Sequence, residues 1–394
     1  MKEKIGLITF YQNNYGSILQ CFSTKSLLRT LNYDCDVLCL SEYQRNDIII
    51  RLCKFVRLVG KILRYPSFCI SLAKSKLYGN CLTTKLTTRT IEEMNSFVKS
   101  YLKPVEISNK VLKKDGEKRY NLFIAGSDQI WNLSSLFYSF YFLTFAPREK
   151  RISFAVSFGI SQIPKYNQKE LQKVLNEYNY ISVREETGVE IVKKYSNTKV
   201  CRIADPTFIY NADEWRDFAK DAVIPSQKYI LVHFLNEPNE IALESMAWLS
   251  KQLNLDVIAL GYKYDVFDKL KRFTFMDGGP WEYVSMIDHA EFVLTDSFHS
   301  SLFSINFNKR FFVFHRDYSV SKQTSRISDL LKRFGMDNRL IENVDILKNI
   351  YLEYLPEETS VVLKKERATI RDYIQKSISG QIPQCFLQGE NDAT

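Results

Sequence analysis

One histidine stands where a predicted strand passes into a helix, a position suited to anion binding or proton transfer. The apolar run 292–294 is followed by Thr295-Asp296-Ser297, which are good N-caps, and a helical apolar pattern begins at Leu302. His299 then lies in the first turn, where free N–H groups and the helix dipole favour an anionic ligand. A plain strand-to-helix turn with His299 as a polar cap explains these residues equally well.

Two further predicted strands end in polar loops that contain glycine. Residues 4–10 lead into 13–17 (Asn-Asn-Tyr-Gly-Ser), and residues 122–125 lead into 126–132 (Gly-Ser-Asp-Gln-Ile-Trp-Asn). Glycine allows close backbone approach, and the Asn, Ser and Asp side chains supply hydrogen-bonding groups. If the strands are parallel, these loops open at the edge of the sheet where open α/β sheets bind ligands. We therefore predict a polar ligand site at that edge.

The elements that must position these loops alternate along the whole chain. Strands are predicted near residues 4–10, 35–40, 121–125, 151–157, 180–183, 199–203, 229–234, 256–260, 291–295 and 311–314. Helical patterns lie between most of them, which indicates parallel sheets covered by helices on both faces. The 394 residues exceed the roughly 250–300 at which a single core stops growing. The predicted fold class is α/β, with two Rossmann-like, doubly wound domains facing a central cleft.

The predicted domain boundary follows the Asp-Pro-Thr sequence at 205–207, which interrupts the alternation. The N-terminal domain then covers residues 1–207, with a basic helical insertion at about 45–90. The C-terminal domain covers 208–356, and residues 357–394 form a C-terminal helix and tail.

Composition excludes several classes of protein. The eight cysteines contain no Cys-x-x-Cys pair and the four histidines no His-x-x-x-His pair, so we predict no metal site. No stretch approaches 18 uninterrupted apolar residues, which excludes a predicted membrane span. The N-terminus runs into a strand without an apolar signal region, so we expect reduced thiols and a cytoplasmic location.

The formal charge is +9, and the basic residues concentrate between Arg45 and Arg119, a span that includes a predicted amphipathic helix at 50–64. Five basic residues and no acid lie between Arg51 and Arg64, and apolar residues take most of the opposite arc. Such a helix can lie on an anionic membrane surface, at the inner face of the membrane, or hold a polyanionic substrate. It can equally be an insertion helix packed on the domain with a solvated basic face. Because the segment lacks a stacking platform, we predict no nucleic-acid partner.

Five segments together resemble the polysaccharide pyruvyl transferase family. They are Tyr-Gln-Asn-Asn-Tyr-Gly-Ser-Ile-Leu-Gln at 11–20, Gly-Ser-Asp-Gln-Ile-Trp-Asn at 126–132, Val-Arg-Glu at 183–185, Asp-Pro-Thr at 205–207 and Thr-Asp-Ser-Phe-His at 295–299. The resemblance covers about residues 4 to 335 and implies a GT-B-like fold. It also implies that pyruvate passes from phosphoenolpyruvate to two hydroxyls of a sugar as a ketal, in surface-polysaccharide biosynthesis. One departure is Ser300, where the family usually has glycine.

The resemblance implies a donor site for the carboxylate and phosphate of phosphoenolpyruvate. Guanidinium forks and helix N-termini suit both groups. Arg184 is the first candidate, with a pair to Glu185, Glu186 or another neighbouring carboxylate as the alternative. Arg326 is the second, with an exposed helix start as the alternative. The predicted donor-binding residues are Arg184, Ser297, His299, Ser300, Arg326 and Gly279.

The implied catalytic residues are His299 as acid or phosphate ligand, Asp128 as base toward a sugar hydroxyl, and Arg184. Amides and aromatic faces suit carbohydrate. The predicted acceptor-binding residues are Asn14, Tyr15, Gly16, Ser127, Asp128, Gln129 and Trp131. Trp131 is equally explained as a core anchor.

Two other functions remain open on the sequence. A GT-B glycosyltransferase using a nucleotide sugar would have the same architecture, because a fold does not decide a function. A non-catalytic scaffold of a polysaccharide assembly would also keep it. The expected partners of the pyruvyl transferase are phosphoenolpyruvate and a sugar acceptor, for which a lipid-linked form is one option. No cofactor is expected, and the oligomeric state stays open.

Overall fold

The computed structural model describes residues 3–41, 48–66, 68–70, 73, 85–134, 136–316 and 324–387. Its first sheet is entirely parallel. In chain order its strands are β1 (Lys4–Ile8), β2 (Asp34–Leu40), β3 (Val105–Ile107), β4 (Leu122–Ala125) and β5 (Arg151–Ser153). They lie side by side in the order β3-β2-β1-β4-β5. The winding direction therefore reverses between β1 and β4, where such sheets bind ligands.

Two more strands continue this domain. Strands β6 (Tyr180–Val183) and β7 (Lys199–Arg202) form a parallel pair, which Val156 links to the first sheet by bridges to Val183 and Asp128. The helices of this half are α1 (Tyr15–Thr30), α2 (Ile48–Arg64), α3 (Thr88–Phe97), α4 (Asn109–Arg119), α5 (Lys165–Leu175) and α6 (Glu186–Tyr195). Because β1 and β4 are buried apolar runs, they hold the loops that follow them rigidly.

The second sheet is also entirely parallel, with the order β10-β9-β8-β11-β12-β13. Its strands are β8 (Tyr229–His233), β9 (Asp256–Leu260), β10 (Phe273–Met276), β11 (Phe292–Thr295), β12 (Phe311–Phe314) and β13 (Leu340–Ile341). The remaining helices are α7 (Ala212–Phe218), α8 (Glu240–Leu253), α9 (Pro280–His289), α10 (Phe298–Asn306), α11 (Thr324–Arg333), α12 (Val344–Ile350) and α13 (Thr359–Ile378). The prediction of two parallel-sheet α/β domains is confirmed.

Aromatic packing and the last long helix join the two halves. The Tyr15 hydroxyl donates to the Gly278 carbonyl at 2.6 Å, and its ring stacks on Tyr283 at 4.6 Å. Helix α13 returns to the first half, where the Tyr373 hydroxyl donates to the Ser153 carbonyl at 2.8 Å. The predicted boundary at residue 207 stays a prediction; it falls in the short turn Pro206–Ile209 between the sheets.

Three observed strands were not predicted, and all three are edge strands. β3 borders the first sheet, and β10 and β13 border the second. Edge strands are often short and carry polar side chains that discourage pairing with other chains, so their apolar signal is weak. Residues 105–107 (Val-Glu-Ile) and 340–341 (Leu-Ile) show how little sequence such a strand occupies.

Candidate functional site

The loop after β1 is fixed by one buried glutamine. The carboxamide nitrogen of Gln20 donates to Thr9 Oγ1 at 2.9 Å, to the Phe10 carbonyl at 2.8 Å and to the Ser17 carbonyl at 2.9 Å. Asn14 caps α1, because its Oδ1 accepts from the Ser17 backbone N–H at 3.1 Å. Together these bonds hold the start of α1 at the carboxyl edge of the first sheet.

The loop after β4 presents Asp128 in a strained conformation. Its φ of 78° lies in the left-handed region, which costs free energy for any residue except glycine and is typical of functional sites. The Ser17 hydroxyl donates to Asp128 Oδ2, and the Gln129 backbone N–H donates to Oδ1 at 2.8 Å. Asp128 is therefore fixed by its own loop and by the loop after β1, as expected if the carboxyl ends of parallel strands meet at one edge of the sheet.

His299 lies where two helix N-termini meet. Ser297 caps α10, and the buried His299 follows in its first turn, as predicted. The ring packs directly on Gly16 at the start of α1, so close that a Cβ there would lie 2.0 Å from His299 Nδ1. The absence of a side chain at Gly16 therefore lets the two domains close around the histidine.

A buried carboxylate, Asp205, connects the remaining parts of the site. It lies 3.5 Å from His299 Nε2 and accepts from Arg184 Nη1 at 2.5 Å and Ser127 Oγ at 3.1 Å. Burial alone would raise the pKa of Asp205, but the contact with His299, the Arg184 charge and the Thr207 N–H outweigh it and hold the pKa well below its usual range. Asp205 is therefore an anion that orients both a guanidinium and an imidazole.

Arg184 has other neighbours besides Asp205. Its Nη2 lies 3.8 Å from Asp128 Oδ1, and its guanidinium lies 4.4 Å from the centre of the Phe298 ring. The predicted alternative of pairing with a carboxylate is confirmed for Asp205 and Asp128. It is wrong for Glu185, whose Oε1 accepts from Ser157 and from the Phe158 N–H instead. Arg184 thus links the carboxylates of Asp128 and Asp205 beneath the start of α10.

A second buried guanidinium, that of Arg326, lies 5.7 Å from the centre of the Phe298 ring. Gln129 accepts from its Nη1 at 2.8 Å when the carboxamide oxygen faces it. Burial, together with the positive charges of Arg184 and Arg316, lowers the pKa of Arg326 to about 9. The predicted alternative of an exposed helix start is wrong, and an anion in this place would relieve the crowded positive charge.

Neutral residues support the start of α10 from behind. His233 Nδ1 and the Tyr283 hydroxyl both hydrogen-bond Ser300 Oγ, at 2.9 and 3.0 Å. Burial, Arg316 and His299 lower the pKa of His233 to about 3, so the ring is neutral. Ser300, which departs from the family glycine, therefore uses its hydroxyl inside the fold and not toward a ligand.

Six of the predicted site residues line a cleft cavity of about 430 Å³ between the domains. They are Asn14, Asp128, Gln129, Ser297, His299 and Arg326. Arg184 lines an adjoining cavity of about 340 Å³, which shares Phe298 and Arg326 with the first. The structure thus brings the Arg326 guanidinium, the histidine and the strained aspartate around one cavity, with Arg184 in the cavity next to it.

Other predicted residues lie away from that space. Tyr15 is buried between the domains, and Trp131 is a core anchor that stacks on Phe142 and donates to the Tyr141 carbonyl at 2.9 Å. Gly16 packs against the His299 ring, and the Ser127 hydroxyl donates to the Asp205 carboxylate. The Gly279 N–H donates to the Glu282 carboxylate at 2.9 Å, so it is already occupied by an acid.

Three residues at the site were not among the predicted ones. Ser17 and Asp205 contact predicted residues directly. Arg316 lines the cleft cavity, where it donates to the Asp296 carbonyl at 2.7 Å and pairs with the Asp296 carboxylate. Arg316 could have been found, because it follows β12 at the edge where the other loops open. Asp205 stood in one of the five segments that resemble the family, but nothing in the sequence placed it beside Arg184 and His299.

A third cavity of about 520 Å³ adjoins the cleft on the side of the first sheet. It shares Phe10, Asn13 and Ser17 with the cleft and is also lined by Tyr141, whose ring lies 5.2 Å from that of Phe10. An aromatic wall beside polar groups is suited to a sugar ring.

Within the described ranges, no group of three or more His, Cys, Asp or Glu side chains is placed to hold a metal ion. Among the helices of the same part of the chain, none is both long and apolar enough to cross a bilayer.

The fold is similar to that of solved UDP-N-acetylglucosamine 2-epimerases. One matches with a TM-score of 0.55 at 9% identity, covering 97% of this chain and 98% of that one. S. aureus MnaA, solved with UDP, matches with a TM-score of 0.54 at 12% identity, covering 96% and 97%. The Neisseria meningitidis enzyme bound to UDP-GlcNAc matches with a TM-score of 0.51 at 10% identity, covering 97% and 100%. These likenesses confirm the predicted GT-B-like fold and show nothing beyond the fold.

No curated protein matches the sequence significantly. The family model described as "Polysaccharide pyruvyl transferase" matches residues 14–318, which is most of the chain and includes the loops that surround the cleft. The chain therefore belongs to the polysaccharide pyruvyl transferase family.

Proposed function

We propose that this protein transfers pyruvate from phosphoenolpyruvate to two hydroxyls of a sugar, as a ketal. One observation carries the proposal: two buried guanidinium groups, Arg184 and Arg326, flank the start of α10 beside His299. Phosphoenolpyruvate has two anionic groups close together, and a pair of guanidiniums next to a helix N-terminus can hold both.

The lowered pKa of Arg326 supports an anionic ligand. A buried cation next to two further arginines is costly in the unliganded protein, and a phosphate or carboxylate would compensate it. Arg184 is already paired with Asp205 through Nη1, so only its other N–H groups are available. We assign Arg326 as the main donor ligand and Arg184 as a second, shared one.

Ketal formation requires a proton on C3 of the donor and charge stabilisation on the leaving phosphate. His299 can supply the proton, because histidine is the commonest general acid in enzymes, and Asp205 orients its ring. The N–H groups at the start of α10 can stabilise the phosphate as it leaves. In the balanced reaction C2 gains two bonds to sugar oxygens, while the C2–O bond to phosphate and the second bond of C2=C3 break. Of the two hydroxyl protons, one ends on C3, which becomes a methyl group, and the other leaves with the phosphate.

The acceptor would lie on the side of the first domain. Asp128 is held by Ser17 and stands next to Arg184, a position from which it can take a proton from an attacking hydroxyl. The adjoining aromatic cavity of Phe10 and Tyr141 would receive the sugar ring. The acceptor cavity is thus joined to the donor site through Ser17.

Thermal unfolding with and without millimolar phosphoenolpyruvate tests this assignment. A ligand at 100 times its Kd stabilises the folded state by about 2.7 kcal/mol. The wild type should gain this stability, and His299→Asn and Arg326→Met should lose most of the gain. His289→Asn, in α9, is the matched control and should respond like the wild type. Stabilisation by a nucleotide sugar and not by phosphoenolpyruvate would contradict the proposal and favour a glycosyltransferase, and stabilisation by neither ligand would favour a scaffold.

A further inference from the structure

Helix α2 exposes its apolar face to solvent. Four apolar residues in its second half, Phe55, Val56, Val59 and Leu63, are exposed. The exposed fraction is 79% for Leu63, 63% for Val56 and 61% for Phe55. At 100° per residue the four fall within an arc of about 100°, so they form one continuous apolar stripe.

A basic residue, in contrast, holds the helix on the domain. The Lys61 ammonium contacts the Asn167 side-chain oxygen and lies 5.5 Å from the centre of the Tyr166 ring. Asn167 and Tyr166 in turn donate to the carbonyls of Leu133 and Ser134. The sequence alternative of an insertion helix that packs its apolar face on the domain is therefore wrong for the second half of α2.

The charge around the stripe favours one kind of partner. Residues 51–64 include five basic side chains and no acidic one, so the helix is complementary to an anionic surface. An exposed apolar stripe on a helix whose charged residues are all basic is typical of helices that lie in the interface of a membrane. A protein partner would more often be matched by mixed charges at the rim of the patch.

We infer that α2 docks the protein on bilayers that contain anionic lipid, with Phe55, Val56, Val59 and Leu63 inserted between the headgroups. The anchoring contacts at Leu133 and Ser134 directly follow the loop that carries Asp128. The docked helix would therefore hold the acceptor side of the cleft close to the bilayer, within reach of a lipid-linked sugar. That consequence rests on the proposed function, whereas the docking itself does not.

Co-sedimentation of the full chain with vesicles tests the docking without any substrate. The vesicles contain either phosphatidylcholine alone or phosphatidylcholine with phosphatidylglycerol. The wild type should bind the anionic vesicles, and Val56→Ser with Leu63→Ser should lower the bound fraction about ten-fold. Leu352→Ser with Val361→Ser is the matched control, because these residues are also exposed, at 58% and 68%, on other elements.

Each other outcome overturns the inference. The inference is wrong if the wild type does not bind anionic vesicles, or if it binds neutral vesicles equally well. It is also wrong if the variant with serine at Val56 and Leu63 binds as well as the wild type. Size-exclusion chromatography distinguishes a second copy as the occupant: a wild-type dimer that this variant dissociates would show that the stripe is a subunit interface. The midpoint of thermal unfolding should be the same for the stripe variant and the control variant, since the four replaced side chains, Val56, Leu63, Leu352 and Val361, are all exposed.

Discussion

Replacing Gly16 with alanine tests whether the closed arrangement around His299 is real. A Cβ at this position would lie 2.0 Å from Nδ1, 2.1 Å from Cγ and 2.6 Å from Cβ of His299. Non-bonded carbon and nitrogen atoms approach no closer than about 3.5 Å without repulsion, so an opening of about 1.5 Å is needed. The ring is buried in α10 and cannot move away freely, so the two domains must separate or the histidine must leave its place.

Local propensity and tertiary packing make opposite predictions for this change. In a helix, alanine is favoured over glycine by up to about 1 kcal/mol. Inserting a methyl group into a packed site costs about 1–3 kcal/mol, and we expect that cost to dominate here. The expected result is a net loss of about 1–2 kcal/mol in the free energy of unfolding. A displacement of this size at a catalytic group also lowers the reaction rate about 100-fold.

Chemical denaturation measures the loss, and the stabilisation by phosphoenolpyruvate shows whether the donor site is still formed. Gly60→Ala is the matched control, because a Cβ at Gly60 in α2 meets no atom within 4 Å. We expect this control to be neutral or more stable by about 0.5–1 kcal/mol. If Gly16→Ala were as stable as Gly60→Ala and kept the full response to phosphoenolpyruvate, the closed geometry would be refuted.

Three further predictions concern buried ionisable side chains. Replacing Arg326 with methionine removes a buried cation whose pKa is lowered to about 9. The free energy of unfolding without ligand should rise by about 1–3 kcal/mol, and the stabilisation by phosphoenolpyruvate should be abolished. A lower free energy of unfolding in urea denaturation would contradict this. Asp205→Asn leaves Arg184 without its closest counter-charge and should lower the free energy of unfolding by about 3–5 kcal/mol. The control Asp217→Asn, at an exposed pair with Lys220, should lower it by less than about 1 kcal/mol. Equal losses for the two variants would refute the role of Asp205. His233 is neutral in the fold with a pKa of about 3, so the unfolded chain binds its proton first and stability should fall as the pH drops from about 6.5 towards 3, by up to about 1.4 kcal/mol per pH unit. His233→Gln should show a shallower loss over that range, and an unchanged slope would show that His233 is not the group responsible.

The sequence was sufficient for those parts of the site that rest on local patterns. Buried strands with polar residues after them identified the loops that carry Asp128 and His299, because parallel strands bring their carboxyl ends to one edge. The capping residues 295–297 also indicated the start of α10, and the structure places the cap at the last of them, Ser297. Such features depend on residues that are neighbours in the chain.

Contacts between distant segments could not be derived in that way. The role of Asp205 depends on Arg184 and His299, which lie far from it in sequence and meet only when the domains close. Trp131 has the same local surroundings as Asp128, yet its ring turns into the core while the carboxylate turns to the cleft. For α2 the sequence left two alternatives open, a helix that lies on an anionic surface and one packed on the domain, because the pattern alone does not show which way an amphipathic helix faces.

A structure determined with phosphoenolpyruvate tests the proposed donor site most directly. We expect the ligand in the cleft, with a phosphate or carboxylate oxygen about 3 Å from the Arg326 guanidinium and C3 facing the His299 ring. Phosphoenolpyruvate bound elsewhere, with the Arg326 guanidinium still in contact only with the protein, would contradict the assignment of both residues.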